Sequence, residues 1–179
     1  MAAVCKLLKK AANNKNATIF SYYVEDPERF GIAEFDEHGK ILSLEEKPKS
    51  PKSHYAVTGL YFYDKHVCEY ASGLKPSPRG ELEITDLNNI YLKQGKLDVI
   101  PLGRGYGWLD TGTVDSLKEA TEYVKVIQHR QGLMVSCIEE IAYKNGWINS
   151  DQLKKEAKKY GKSRYGAYLK KIVDGKIIY

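Results

Sequence analysis

Two leucines alternate with polar residues along Leu42-Ser43-Leu44-Glu45, and the alternation runs into Glu46-Lys47-Pro48. A period of two predicts a strand. Pro48 ends it, because proline has no N–H for a ladder. The same reasoning orders the rest of the chain. Val4, Leu7, Leu8 and Ala11 recur at helical spacing and predict a helix over residues 2–12, closed by Asn13 and Asn14. Ala17 to Val24 is rich in β-branched and aromatic residues and reads as a buried strand. After a turn at Asp26-Pro27-Glu28-Arg29, strands are expected at Phe30–Phe35 and Ile41–Leu44, joined by a hairpin loop over residues 36–40. Pro48 to Ser53 is a polar loop. Tyr55 to Asp64 gives the strongest strand pattern, with Gly59 in its middle suggesting a close approach to the backbone.

The second half is mostly helical. Helices are expected at Lys65–Ala71 and Leu82–Gln94, the latter stopped by Gly95, and a strand at Leu97–Leu102. Lys75 to Gly80 reads as a rigid loop and Gly103 to Gly107 as a flexible one. Val114, Leu117, Val124 and Ile127 form one stripe of a helix over Thr113–Gln131, stopped by Gly132. Ser136-Cys137-Ile138-Glu139 has the spacing of a capping box. Further helices follow at Ser150–Tyr160 and Ser163–Val173. Strands joined by helices up to residue 132, then helices only over 133–179, predict an α/β domain with a helical appendage.

Composition narrows the function classes. The chain has 179 residues, 42% of them hydrophobic, enough for one cored domain. Fourteen tyrosines against four phenylalanines point to amphipathic pockets as well as core. The net charge of +5 is uneven. Residues 151–179 hold nine basic and three acidic side chains, against 19 and 20 in the rest. A near-neutral body argues against nucleic-acid binding, and the basic tail reads as a solvated helical face. The three cysteines, Cys5, Cys68 and Cys137, have no metal-ligand spacing and read as buried, reduced thiols of an intracellular protein. No apolar run approaches the roughly 18 residues that span a bilayer. Met1 to Lys10 lacks the form of a signal peptide.

The candidate chemistry lies at the end of the Leu42–Pro48 strand. Carboxylates beside a lysine suit a phosphorylated sugar, the ammonium meeting phosphate and a carboxylate accepting hydroxyl hydrogens. A solvated strand end with a self-neutralising Glu-Lys pair is the alternative.

Several runs then occur in order: Asp26 to Gly31, Leu44 to Pro48, Ala56 to Tyr63, Arg79-Gly80-Glu81-Leu82-Glu83-Ile84-Thr85-Asp86, Trp108-Leu109-Asp110-Thr111-Gly112, and Glu139 to Tyr143 with Asn145-Gly146-Trp147. Together they resemble the bacterial glucose-1-phosphate thymidylyltransferase family from about Leu7 to the end. The resemblance implies a Rossmann-like mixed sheet of the nucleotide-diphospho-sugar transferases, with a helical C-terminal tail. It also implies transfer of dTMP from dTTP to glucose-1-phosphate, with Mg²⁺, in a cytoplasmic homo-oligomer of the dTDP-rhamnose pathway. The family's glycine-rich nucleotide loop, following lysine and first metal-binding aspartate have no match here, and Gly103-Arg104-Gly105-Tyr106-Gly107 does not replace them. The expectation is therefore a C-terminal part that is inactive alone. A non-catalytic sugar-phosphate-binding or assembly module is the alternative.

The resemblance also assigns roles. Lys47 and Arg79 match residues that hold the sugar phosphate, each otherwise a surface cation. Glu46 matches the carboxylate that accepts sugar hydroxyls. Gly31 and Val57 match positions where backbone meets sugar, and Tyr61 lines that pocket or packs the strand. Asp110 matches a Mg²⁺ ligand, or else caps the helix after Gly112. Trp108 is expected to pack beside the site. Arg104, Glu139 and Glu140 lie in stretches that form a second, regulatory nucleotide site in the family, or else are a loop arginine and helix-surface acids. The implied ligands are glucose-1-phosphate or a dTDP-sugar.

Overall fold

The structure is a computed structural model that describes residues 2–176. The chain divides into two compact units, Met1–Trp108 and Leu109–Tyr179. The third long helix of the expected α/β part thus groups with the helical tail.

The first unit begins with α1 (Ala2–Ala12) and continues with β1 (Ala17–Tyr23), β2 (Gly31–Phe35), β3 (Ile41–Glu46) and β4 (Tyr55–Phe62). Then come α2 (Val67–Ser72), α3 (Ile84–Lys93) and β5 (Leu97–Leu102). The five strands form one mixed sheet in the order β3-β2-β4-β1-β5. Only the β1–β5 pair is parallel. β1 is covered on both faces, which is why Thr18 to Ser21 are all buried rather than alternating. β3 buries both Ile41 and Leu44 and leaves Leu42 53% exposed, a three-residue interval that goes with the register shift in its pairing with β2, where Glu34 faces Ser43 and Phe35 faces Ile41. Ile19, Ala33, Leu44, Leu87, Tyr91 and Leu97 form the core, with α3 over the sheet. The sheet curls, so its end strands β3 and β5 approach each other where α3 packs on both.

Two sequence expectations change here. Gly59 marks no close approach, since a β-carbon there would meet nothing within 4 Å. It lies where the β1–β4 register slips, Ile19 pairing Tyr61 while Ser21 pairs Val57. The glycine serves an irregularity of the ladder. Of the three thiols, only Cys137 is buried, Cys5 and Cys68 being exposed. Sequence spacing identifies a helix face but not whether anything covers it.

The second unit contains α4 (Val114–Gln131), α5 (Ile138–Lys144), α6 (Ser150–Lys159) and α7 (Arg164–Val173). Thr113 caps α4 in a capping box with Ser116. The expected α4 stripe is poorly covered, with Val114 85% and Leu117 53% exposed and Ser116 the one buried residue of the helix. Leu153, Tyr168, Leu169 and Ile172 pack with Cys137 into a small separate core. Gly166 lets α7 meet α6, because a β-carbon there would sit 2.8 Å from the Gly161 carbonyl oxygen. The box expected at Ser136–Glu139 does not form. Ser136 is left-handed (φ 54°) and Cys137 occupies the cap position without a side-chain bond. Among the described residues, no helix is long and apolar enough to cross a membrane.

Candidate functional site

β3 runs antiparallel to β2 with Glu46 paired to Gly31. Residues 44 and 46 share one face of β3, so Glu46 continues the row of buried Leu44 towards the first turn of α3. There the Thr85 hydroxyl donates to Glu46 Oε2. Gly31 makes this possible. A β-carbon at residue 31 would lie 2.9 Å from Thr85 Oγ1 and 3.0 Å from Glu46 Oε2. The backbone is bare because a carboxylate and a hydroxyl occupy the space beside it.

Arg79 meets the same carboxylate from the loop before α3. Its Nη1 is 3.7 Å from Glu46 Oε1 and 3.3 Å from Glu83 Oε1, and its Nη2 is 2.7 Å from Glu81 Oε2. The Ser77 hydroxyl also donates to Glu83 Oε1, at 2.8 Å. Glu83 is buried, whereas Glu81 is exposed and the Arg79 side chain remains 39% accessible. The guanidinium is thus oriented from behind by a buried acid and restrained in front by a solvated one.

Lys47 follows Glu46 with its backbone left-handed (φ 44°) and its N–H bonded to the Phe30 carbonyl at 3.0 Å. This turns the chain into buried Pro48 and leaves the Lys47 ammonium in solvent. Tyr61, half-buried on β4, stacks on Tyr63 with ring centroids 5.8 Å apart. Burial pushes its phenol pKa up, and the nearby Glu46 charge raises it further. Tyr61 therefore stays protonated at neutral pH. Gly31, Glu46, Arg79 and Tyr61 come together, and Lys47 follows Glu46 directly in the chain. Val57 on β4 is paired with Ser21 and packs against the core, and the antiparallel β2–β4 register, Ile32 with Ala56, brings it level with Gly31.

Of the remaining expected residues, Arg104 and Trp108 belong to the first unit, and Asp110, Glu139 and Glu140 to the second. Arg104 is exposed in the loop after β5, and Trp108 packs edge-on against Phe30 with centroids 5.1 Å apart. Asp110 belongs to the second unit, where its carboxylate folds over Gly112, and the cap of α4 is Thr113 instead. Glu139 and Glu140 are buried rather than on a helix surface. Tyr160, at 2.8 Å, and Tyr165 donate to Glu139. Tyr168 donates to Glu140, which also meets Lys144 at 2.8 Å. Burial pushes the Glu139 pKa up, but the Tyr165 and Tyr160 hydroxyls, a backbone bond and the Lys159 charge outweigh it, leaving a net lowering.

Thr85, Glu83 and Glu81 were not singled out from sequence. They lie inside the Arg79–Asp86 run, and acids alternating beside an arginine were the available signal.

Comparison with known proteins gives a consistent result. The family model described as nucleotidyl transferase matches residues 1–126. A glucose-1-phosphate thymidylyltransferase of Xanthomonas campestris pv. campestris is 58% identical over 163 residues, covering 91% of this chain and 55% of that protein. One from Neisseria meningitidis serogroup A is 52% identical over 167 residues, covering 93% and 58%. A Bacillus anthracis protein described as a glucose-1-phosphate thymidylyltransferase, crystallised in complex with a sucrose, superposes with a TM-score of 0.59 at 48% identity, over 67% of this chain and 48% of that one. The chain spans about half the length of the curated relatives it matches. On the strength of the family match, this chain belongs to the nucleotidyl transferase family.

Proposed function

We propose that this chain supplies the sugar-phosphate side of a thymidylyl transfer. In that reaction a phosphate oxygen of glucose-1-phosphate forms a bond to the α-phosphorus of dTTP. The bond from that phosphorus to the oxygen bridging the β-phosphate breaks, and pyrophosphate leaves with dTDP-glucose as product. The observation carrying this reading is the Gly31–Glu46–Arg79 arrangement, in a sequence more than half identical to proteins of that name.

Phosphoryl chemistry of this kind depends on positioning and charge neutralisation. Arg79 can exchange solvated Glu81 for a phosphate oxygen while buried Glu83 keeps the guanidinium in place. Lys47 adds a second, mobile positive charge. Thr85 holds one oxygen of Glu46, which leaves Oε1 to accept a sugar hydroxyl. Tyr61 closes the pocket wall as a neutral phenol, and the Gly31 and Val57 backbones meet the sugar. The setting is a cytoplasmic homo-oligomer feeding dTDP-glucose towards dTDP-rhamnose.

The family reaction uses Mg²⁺, but Asp110 is a single carboxylate. Among the described residues, no group of three or more His, Cys, Asp and Glu side chains is placed to hold a metal ion. Asp110 by itself would hold Mg²⁺ weakly, as one carboxylate of a site that substrate phosphates would complete. The 179 residues also contain no glycine-rich triphosphate loop. This favours binding without turnover by this polypeptide alone.

Calorimetry with glucose-1-phosphate tests the site. Lys47→Ala and Arg79→Ala should each weaken binding by about tenfold, the worth of one charge-assisted contact. Unchanged affinity in both variants rejects the assignment. With dTTP, glucose-1-phosphate and Mg²⁺ together, the polypeptide should release no pyrophosphate, and turnover at enzyme-like rates would reject binding without catalysis.

A further inference from the structure

The Arg79 fork makes one short, charge-assisted hydrogen bond, and an acid of its own loop receives it. Nη2 donates to Glu81 Oε2 at 2.7 Å, whereas Nη1 lies 3.3 Å from Glu83 and 3.7 Å from Glu46. The backbone builds this contact. The Gly80 N–H donates to the Ser77 carbonyl and the Ser77 N–H to the Glu81 carbonyl, both at 2.8 Å. The turn needs Gly80 left-handed, at φ 79°. The Arg79 N–H donates to the Ser77 hydroxyl at 3.2 Å, so one turn fixes both residues of the pair.

We propose that Glu81 is a built-in competitor of the ligand: its carboxylate occupies the place on Arg79 that a phosphate monoester takes, and affinity is set by the difference between the two anions. The competitor acts on the clamp that the sugar-phosphate reading assigns to Arg79, and so depends on that reading. Unequal partners single out Glu81 among the three acids. Half-buried Glu46 is held by the Thr85 hydroxyl and buried Glu83 by the Ser77 hydroxyl. The Glu81 side chain is 62% accessible and, among the described residues, bonds to Arg79 alone. Displaced, Glu81 turns to water, whereas moving either of the others takes the acceptor from a hydroxyl. A ligand carboxylate would replace Glu81 like for like and gain nothing from the fork. A phosphate monoester brings up to two charges and three acceptor oxygens to the same donors, and so wins the exchange. Because the pair faces solvent, its opposition is mild, about threefold to fivefold in affinity.

A double-mutant cycle in the full chain tests the competitor, with glucose-1-phosphate titrated by calorimetry. Glu81→Gln removes the competing charge at nearly constant size and should tighten binding by about threefold to fivefold. Arg79→Ala should weaken binding. Glu81→Gln added to Arg79→Ala should then change nothing, because the competitor has lost the group it competes for. A charge acting only at a distance gives the same tightening with and without Arg79, and that result overturns the proposal. So does a Glu81→Gln affinity equal to or weaker than the parent's while Arg79→Ala still weakens binding, an outcome that keeps the clamp and removes the competitor. Unchanged binding in Arg79→Ala, or no binding by the parent, overturns the clamp and the competitor together.

Discussion

Carboxylates are sunk into both units, with opposite settings. In the helical unit, Glu139 is held by Tyr160 and Tyr165, and Glu140 by Tyr168 and Lys144. In the sheet unit, Glu46 is held by Thr85 on one oxygen and shares a half-exposed guanidinium on the other. The phenols around Glu139 belong to the packing of α6 and α7 and have no cause to leave. Arg79 has three acid partners of unequal burial and can exchange one. A buried acid satisfied by core hydroxyls supports the fold, whereas one satisfied by a replaceable cation is available to a ligand.

The largest expected effect comes from removing the fixed acid. Glu139→Ala removes the acceptor of the half-buried Tyr165 hydroxyl, the exposed Tyr160 one turning to water, and should cost about 2 kcal/mol, read by urea unfolding of the tail followed through tyrosine fluorescence. Glu46→Ala should cost less than about 1 kcal/mol in the same assay yet remove most glucose-1-phosphate binding. Equal stability losses in the two variants would dissolve the contrast. Gly31→Ala comes next. Its β-carbon must displace Thr85 or Glu46, so sugar-phosphate binding should fall by about tenfold, with a stability cost of roughly 1 kcal/mol.

Acid sharpens the comparison further. The Glu139 pKa is lowered in the fold, so its contribution to stability is fully present above the ordinary glutamate value. That contribution is lost as the pH falls through the lowered one. The tail should therefore weaken in acid, and Glu139→Gln should flatten that part of the pH profile measured by circular dichroism. The smallest effect is expected at Ser21, whose buried hydroxyl has no hydrogen-bond partner among the described residues. Ser21→Ala should be neutral or stabilising by up to about 1 kcal/mol in a thermal melt.

Elements with a strong period were legible from sequence alone. β5 spans Leu97–Leu102 as expected, and the β2–β3 hairpin closes over Asp36, whose carboxylate accepts from the His38 and Lys40 N–H groups. Strand period and turn chemistry are local, so a few residues suffice to specify them. The roles of Glu139 and Glu140 were not legible, because their tyrosine partners lie 21 to 28 residues away in the chain. The capping box at Ser136 fails because Ser136 is left-handed and the cap falls on Cys137, which puts Glu139 out of register for it. At the candidate site, motifs identified Glu46, Lys47 and Arg79. Thr85 and Glu83 emerged only when the curl of the sheet brought β3 to the head of α3.

Lys47 carries one more consequence. A left-handed backbone at a non-glycine residue costs about 1 kcal/mol that glycine would avoid. Replacing Lys47 with glycine should therefore toughen the protein while dulling its hold on phosphate. A selection for heat resistance alone would drift towards that glycine, and a selection for ligand would drift back. This single position places durability and recognition in direct competition.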